Sequence, residues 1–297
     1  MSSKSIEDEG RLRRRPDRGA EILQLVREQV ALGPRVPGSE AHDSLARLLA
    51  QSLTRRAARV HRQEFTVRFR GRALRCANLV GLFPSRGSPI AGPLLLGTHY
   101  DTRPRADREP DPTLREQPIP GANDGGSGTA VLLHLLDWLA GRPFRRDILV
   151  AFFDAEDLGD IDGNPFSMGA ERLAADPLPG LAPEQALVLD MVGGADMVFD
   201  VDAHSLAHGP SGRLTGEIFG LGASRGLRPF VADKPDKLKA IVSDHYPFLR
   251  RGIASCILID IDYPQWHTQA DAVEAMSAGS LAVTEEAVSL YLSRFQG

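Results

Sequence analysis

The sequence contains very little cysteine, with only Cys76 and Cys256 among 297 residues. Two thiols can form neither a framework of several disulfides nor a four-thiolate zinc site, so both of those protein classes are excluded. No apolar run approaches the roughly 18–20 residues that a membrane-spanning helix needs. Neither sign of charge dominates, because 35 Lys and Arg residues stand against 39 Asp and Glu residues. The sequence therefore lacks the basic footprint of a nucleic-acid-binding protein.

The first 18 residues are polar and rich in arginine, and they lack the apolar stretch of a secretory signal. We therefore expect residues 1–18 to form a flexible polar tail and residues 19–297 to fold as a single domain. The overall composition, 42% hydrophobic and 25% charged, is that of an ordinary globular protein. We expect a cytoplasmic protein without nucleic-acid or membrane partners, and its oligomeric state is left open.

Short apolar runs alternate with amphipathic or apolar helical segments through most of the chain. The predicted helices cover about residues 22–30, 40–53, 127–140, 168–175, 212–224 and 277–295. The predicted strands cover about residues 65–69 and 77–82, joined by a turn at Gly71, and then 93–97, 147–153, 186–189 and 255–261. This alternation predicts an α/β three-layer sandwich, with a mixed, mostly parallel central sheet and helices on both of its faces.

Polar side chains follow the carboxyl end of each predicted inner strand. These residues are His99 and Asp101, then Asp154, Glu156 and Asp157, then Asp190, and finally Asp262, Tyr263, Trp266 and His267. A glycine-rich loop, residues 121–128, carries Asp124 and opens a predicted helix. Because ligands bind outside the carboxyl ends of strands in such sheets, we expect these side chains to converge on one edge.

Imidazole nitrogens and carboxylate oxygens together are ordinary zinc ligands. In the adjacent pair Glu156-Asp157, one carboxylate can bind metal while the other acts as a general acid or base. A single acid after a strand is more often a helix cap or a turn residue, and His134 and His204 are expected to be structural. The recurrence of acids at one end of successive strands favours a metal site.

These motifs resemble the zinc-dependent aminopeptidase superfamily. The residues that carry the resemblance are His99-Tyr100-Asp101, Gly121-Ala122-Asn123-Asp124, Glu156-Asp157, Asp190 and Trp266-His267-Thr268. Within that superfamily the chain is most similar to the glutaminyl-peptide cyclotransferases, on segments 32–35, 37–39, 152–154 and 244–252. The resemblance runs from about residue 20 to the C-terminus and implies the three-layer fold of the superfamily.

The resemblance implies a single zinc ion held by Asp124, Asp157 and His267, with Glu156 as the catalytic acid and base. The implied reaction converts the N-terminal glutamine of a peptide or protein to pyroglutamate and releases ammonia. Because the nucleophile is tethered to its target in this reaction, the pocket mainly has to hold the geometry of a five-membered ring.

The remaining implied site residues surround this centre. Asp190 matches an acid that orients the substrate and shares a proton network, and Asp244 falls in the acidic segment of the family. Trp266 matches an aromatic wall of the pocket, and we expect Tyr263 to bind substrate beside it.

An aminopeptidase with two zinc ions is the alternative function. In that case His99 and Asp190 would hold a second metal, Asp124 would bridge the two ions, and Glu156 would activate a water molecule. One zinc ion per chain is expected for a cyclase and two for an aminopeptidase. A relative that binds peptide or metal without turnover is a further alternative, disfavoured because Glu156 and all candidate ligands are present.

Overall fold

The structure is a computed structural model and describes residues 18–297. Its strands are β1 (Arg59–Phe69), β2 (Arg72–Phe83), β3 (Leu94–His99), β4 (Ile148–Phe153), β5 (Gln185–Leu189), β6 (Val201–Asp202), β7 (Leu238–Lys239) and β8 (Ala254–Leu258). Its α-helices are α1 (Arg18–Ala31), α2 (Glu40–Thr54), α3 (Gly126–Ala140), α4 (Met168–Ala175), α5 (Ala203–Ala207), α6 (Gly209–Ser224), α7 (Arg228–Val231), α8 (Tyr246–Leu249) and α9 (Ala278–Ser293). The predicted tail lies outside the described residues, except for Arg18, which begins α1.

Six strands form one sheet in the order β1-β2-β4-β3-β5-β8. β1 and β2 form an antiparallel hairpin, and β2 pairs antiparallel with β4. The other pairs, β3 with β4, β3 with β5 and β5 with β8, are parallel. The hairpin turns at Arg70-Gly71, where both residues have positive φ angles. The prediction of a mixed, mostly parallel sheet is confirmed.

Both faces of the parallel strands are buried, which explains why these strands are continuously apolar in sequence. Leu96 of β3 and Val150 of β4 belong to a core shared with α1, α2, α3, α6 and α9. Their neighbours Leu95 and Leu149 belong to a second core, which includes Leu173 of α4. Alternate strand residues thus face opposite helical layers, and the predicted three-layer α/β sandwich is confirmed.

The predicted strand 255–261 ends earlier, at Leu258. Its neighbour β5 ends at Leu189, and the backbone N–H of Asp190 donates to Leu258 O. Ile259 O instead accepts the N–H of Asp200, so the chain leaves the sheet at this point. No helix within residues 18–297 combines the length and apolar character needed to cross a membrane.

Candidate active site

The carboxyl ends of β3, β4 and β5 meet at one edge of the sheet, as parallel pairing requires. His99 is the last residue of β3, Glu156 and Asp157 follow β4, and Asp190 directly follows β5. His267 reaches the same edge from the long loop after β8. The strand-end residues from four segments therefore converge as the sequence predicts, together with Asp124 from the loop before α3.

Asp124, Asp157 and His267 form one compact trio, called here the first trio, whose ligand atoms all lie within 4.8 Å of one another. His267 Nε2 is 3.3 Å from Asp157 Oδ1 and 3.6 Å from Asp124 Oδ2. All three side chains are buried. The structure thus brings together the three residues that the sequence predicts as ligands of one zinc ion.

His99, Asp124 and Asp190 form a second trio with the same spacing, and Asp124 belongs to both. His99 Nε2 lies 3.2 Å from Asp124 Oδ1 and 3.5 Å from Asp190 Oδ1. The predicted candidates for a second metal position are therefore also adjacent, with one carboxylate oxygen of Asp124 facing each trio.

The donor atoms of these trios fit a zinc ion. His99 Nε2, Asp157 Oδ2 and Asp190 Oδ1 are buried without a hydrogen-bond partner anywhere in residues 18–297. Burial and the nearby Asp157 raise the pKa of Asp124 to about 6, although His99 opposes this rise. A bound cation satisfies such orphaned atoms and lowers the pKa of carboxyl groups beside it. Two carboxylates and one imidazole leave a fourth zinc position open, as a catalytic site needs.

Two buried carboxylates, neither of them a predicted metal ligand, hold the backbone of the ligand-bearing segments. Asp101 accepts the N–H of Glu156 at 3.1 Å through Oδ1 and the N–H of Asp157 at 3.0 Å through Oδ2. Asp271 accepts the N–H groups of Asn123 and Asp124 at 2.8 and 3.1 Å. Each carboxylate therefore fixes one metal-ligand residue by its main chain.

The glycine-rich loop brings Asp124 close to β3 because it carries no side chains at crowded positions. Gly125 has a φ of +77°, and a Cβ atom there would lie 2.4 Å from Asp101 O.

The buried guanidinium of Arg35 donates to Pro120 O and Gly121 O at the start of the loop. Burial lowers the pKa of Arg35 to about 10, and Asp271 is the first of several acids that oppose this shift. Arg35 thus remains a cation among these acids at neutral pH.

Three acids lie beside the first trio, and one of them, Asp190, also belongs to the second trio. Glu156 accepts a hydrogen bond from Ser167 Oγ at 3.2 Å, and Asp190 Oδ2 accepts one from Ser243 Oγ at 2.8 Å. Asp244 is fully buried. Burial holds the pKa of Glu156 and of Asp244 well above the usual range; Asp244 reinforces the rise for Glu156, and Asp190 reinforces it for Asp244. These acids therefore lie close enough for their charges to influence one another's pKa, and the proton network itself stays a prediction.

The two predicted substrate-binding aromatic residues differ in their exposure. Trp266 is partly exposed, its ring centroid lies 4.4 Å from that of His267, and the guanidinium of Arg108 covers its face. Tyr263 is buried, and its hydroxyl donates to Asp271 Oδ1 at 3.0 Å. Trp266 thus lies beside a predicted zinc ligand with part of its surface exposed, and Tyr263 supports Asp271; the binding role of both stays a prediction.

Some polar strand-end residues face away from the trios. Asp154 binds His42 Nε2 at 2.8 Å, and Asp262 pairs with Lys234 and Lys239. The two histidines that are expected to be structural also make their contacts outside the trios: His134 lies 3.0 Å from Glu21, and His204 packs on Tyr246. The contacts by which Arg35 and Asp271 support the glycine-rich loop were not predicted from the sequence.

Known proteins that are similar to this chain in sequence and in structure indicate its family. The sequence profile of peptidase family M28 matches residues 78–292. Aminopeptidase YwaD of Bacillus subtilis is 27% identical over 212 residues, which span 67% of this chain and 40% of the Bacillus protein. A Zn-dependent exopeptidase from Parabacteroides distasonis and a glutaminyl cyclase from Tannerella forsythia are each 29% identical, with a TM-score of 0.82 over 92% of this chain and 97% of theirs.

The profile match covers most of the chain and contains every residue of both trios. Zinc and peptide substrates are what this family implies, and solved structures of both exopeptidases and glutaminyl cyclases share the fold. The chain therefore belongs to peptidase family M28.

Proposed function

We propose that this protein is a glutaminyl-peptide cyclotransferase that uses one zinc ion, held by Asp124, Asp157 and His267. The observation that carries the proposal is the set of three buried acids, Glu156, Asp190 and Asp244, which lie close enough for the charges of Asp244, Asp157 and Asp190 to raise the pKa of Glu156. Cyclisation moves protons between two nitrogens of the same substrate. Several neighbouring acids suit that task, because the pocket must accept a proton at one point and return it at another.

A zinc ion held by these three residues would polarise the side-chain amide carbonyl of the substrate glutamine. Glu156 takes a proton from the α-amine, whose nitrogen forms a bond to the carbonyl carbon, Cδ, of the side-chain amide. The bond from that carbon to the amide nitrogen then breaks, and Glu156 returns the proton so that ammonia leaves. Ser167 holds Glu156 at 3.2 Å, and Asp190, held by Ser243, orients the α-amine. Trp266 forms one wall of the glutamine pocket.

A two-zinc aminopeptidase is the second candidate function, and the second trio specifically favours it. His99 Nε2 and Asp190 Oδ1 face the same carboxylate, Asp124, that belongs to the first trio. This arrangement offers a bridging ligand to two ions, between which a water molecule activated by Glu156 could attack a peptide bond.

Zinc content and reaction product distinguish the two activities. The purified protein is analysed for zinc and incubated with a glutaminyl dipeptide, while ammonia and free amino acids are measured. We expect one zinc ion per chain, release of ammonia and a product lighter by one ammonia. Two zinc ions per chain with release of free glutamine would establish the aminopeptidase instead.

A Glu156→Gln variant tests the catalytic assignment, with Glu28→Gln on the exposed face of α1 as the matched control. We expect the first variant to lose about 10²–10⁴-fold in rate and the control to keep the wild-type rate. A wild-type rate for Glu156→Gln in both assays would remove Glu156 from the mechanism.

The cytoplasmic location stays a prediction from the sequence.

A further inference from the structure

We propose that Arg103 and Asp107 are positioning residues that jointly hold Asp157 and His267 in the geometry of a metal site, and thereby set its zinc affinity. The inference rests on the proposed zinc site, but not on which reaction that site performs. Both residues lie in the long loop between β3 and α3, and neither belongs to a trio.

Arg103 connects the Asp157 segment to Asp107. Its Nη1 donates to Asp157 O at 3.1 Å and to Gly159 O at 2.9 Å, and it lies 3.4 Å from Asp157 Oδ1. Its Nε and Nη2 donate to the two oxygens of Asp107 at 3.0 and 2.5 Å. Only 2% of Arg103 is exposed. A bidentate, largely buried pair of this kind is well fixed in geometry.

Asp107 continues the connection to His267. Its Oδ1 lies 3.2 Å from His267 Nδ1, while the other ring nitrogen, Nε2, faces Asp124 and Asp157. A carboxylate at Nδ1 keeps the proton on that nitrogen and leaves the Nε2 lone pair directed at a metal. Asp107 thus fixes both the tautomer and the orientation of the imidazole.

The backbone at His267 also needs this support. His267 has a φ of +57°, a conformation that non-glycine residues adopt at an energetic cost. The N–H of Arg108, next to Asp107, donates to His267 O at 3.2 Å. The same short segment therefore holds the side chain and the main chain of the ligand.

The charges of the pair favour a cation in the trio. An unpaired guanidinium beside Asp157 would repel zinc, but Asp107 neutralises Arg103 at contact distance. Removing the carboxylate of Asp107 would release His267 and leave the charge of Arg103 balanced only by Asp157, itself a predicted zinc ligand. Both effects weaken zinc binding, so they lower the zinc affinity together.

The test measures zinc affinity of the apoprotein by competition with a chromophoric chelator, for wild type and Asp107→Asn. Loss of a partner of this kind costs about 10- to 100-fold in metal affinity, which is the change expected here. The matched control is Asp176→Asn, because Arg172 and Asp176 form a pair with the same spacing on the surface. An exposed pair is worth little, so we expect its zinc affinity to stay within about twofold of wild type.

Two further measurements separate positioning from a role in folding alone. The visible spectrum of the protein saturated with Co²⁺ should change in Asp107→Asn, because the ligand geometry changes, and should not change in the control. If the Asp107→Asn apoprotein is unfolded by circular dichroism, Arg103→Lys takes its place, since it keeps the charge but loses the bidentate contact.

Wild-type zinc affinity together with a wild-type cobalt spectrum in a folded variant would overturn the inference. Failure of the wild-type protein itself to bind zinc would instead refute the proposed zinc site. The two failures are therefore distinguishable in one experiment.

Discussion

Replacing Asp101 by Asn changes one buried oxygen to an amide nitrogen and leaves the shape of the side chain intact. Asp101 receives the N–H groups of Glu156 and Asp157 on separate oxygens, at 3.1 and 3.0 Å. Asn offers only one acceptor oxygen, so one of these N–H groups would face an NH₂ group and remain without a partner.

The energetic cost follows from these two contacts. A hydrogen bond to a charged group contributes about 1.5–3 kcal/mol, and a buried donor left unpaired costs about 1–3 kcal/mol more. The expected loss is therefore about 4 kcal/mol, because one bond disappears and its donor stays buried. A protein with 5–15 kcal/mol of stability, the usual order of magnitude, would remain folded at about this cost.

Urea unfolding followed by circular dichroism measures this loss. With a slope of about 3 kcal/mol per molar urea, the midpoint should fall by roughly 1 M. Asp162→Asn is the matched control, because Asp162 also accepts a backbone N–H, from Arg70 at 2.7 Å, but is exposed to solvent. A midpoint for Asp101→Asn as close to wild type as that of the control would refute the reasoning.

Three other predictions concern packing, pH and metal. Gly128→Ala would place a Cβ atom 2.2 Å from Thr98 Oγ1 and should lower the free energy of unfolding, measured in urea, by about 1–3 kcal/mol. Gly216→Ala is the control, because a Cβ atom there would have no neighbour within 4 Å, and it should not destabilise the protein. Burial lowers the pKa of His42, but the hydrogen bond and charge of Asp154 more than offset this effect, so the pKa is raised overall. The stabilisation from the His42–Asp154 pair is therefore fully present below about pH 6.5 and is lost as the pH rises through the folded-state pKa of His42. Unfolding of His42→Gln should accordingly show a larger deficit against wild type in acid than in base, and an equal deficit would contradict this. At a metal concentration a hundredfold above Kd, bound zinc stabilises the protein by roughly 2.7 kcal/mol. Removing zinc with a chelator should therefore lower the Tm by about 5–10 °C, and an unchanged Tm would exclude a tightly held ion.

The inner strands and long helices were predictable because each carries its own local signal. β3 and β4 are continuously apolar since helices cover both of their faces, and α2 repeats its buried leucines at helical spacing. The shorter elements α5, α7, α8, β6 and β7 contain two to five residues each. Such segments are too short for any periodicity, so only tertiary contacts define them.

The candidate ligands were predictable for a topological reason, and their supports were not. Acids at the ends of parallel strands must meet at one edge, so the sequence alone predicts that Asp157 and Asp190 lie near His99. Arg103 and Asp107 lie within an irregular loop, where no pattern specifies which residue a side chain will contact. Asp271 is similarly hidden, because its partners Asn123 and Asp124 lie almost 150 positions away in sequence, so the contact is not local.

Locating the bound metal is the most direct test of the proposed zinc site. Crystals of the protein purified with its native metal are measured on both sides of the zinc absorption edge, and an anomalous difference map is calculated. We predict one strong anomalous peak within bonding distance of Asp124, Asp157 and His267. A map without a peak there, or with its zinc peak bound by other residues, would contradict this prediction.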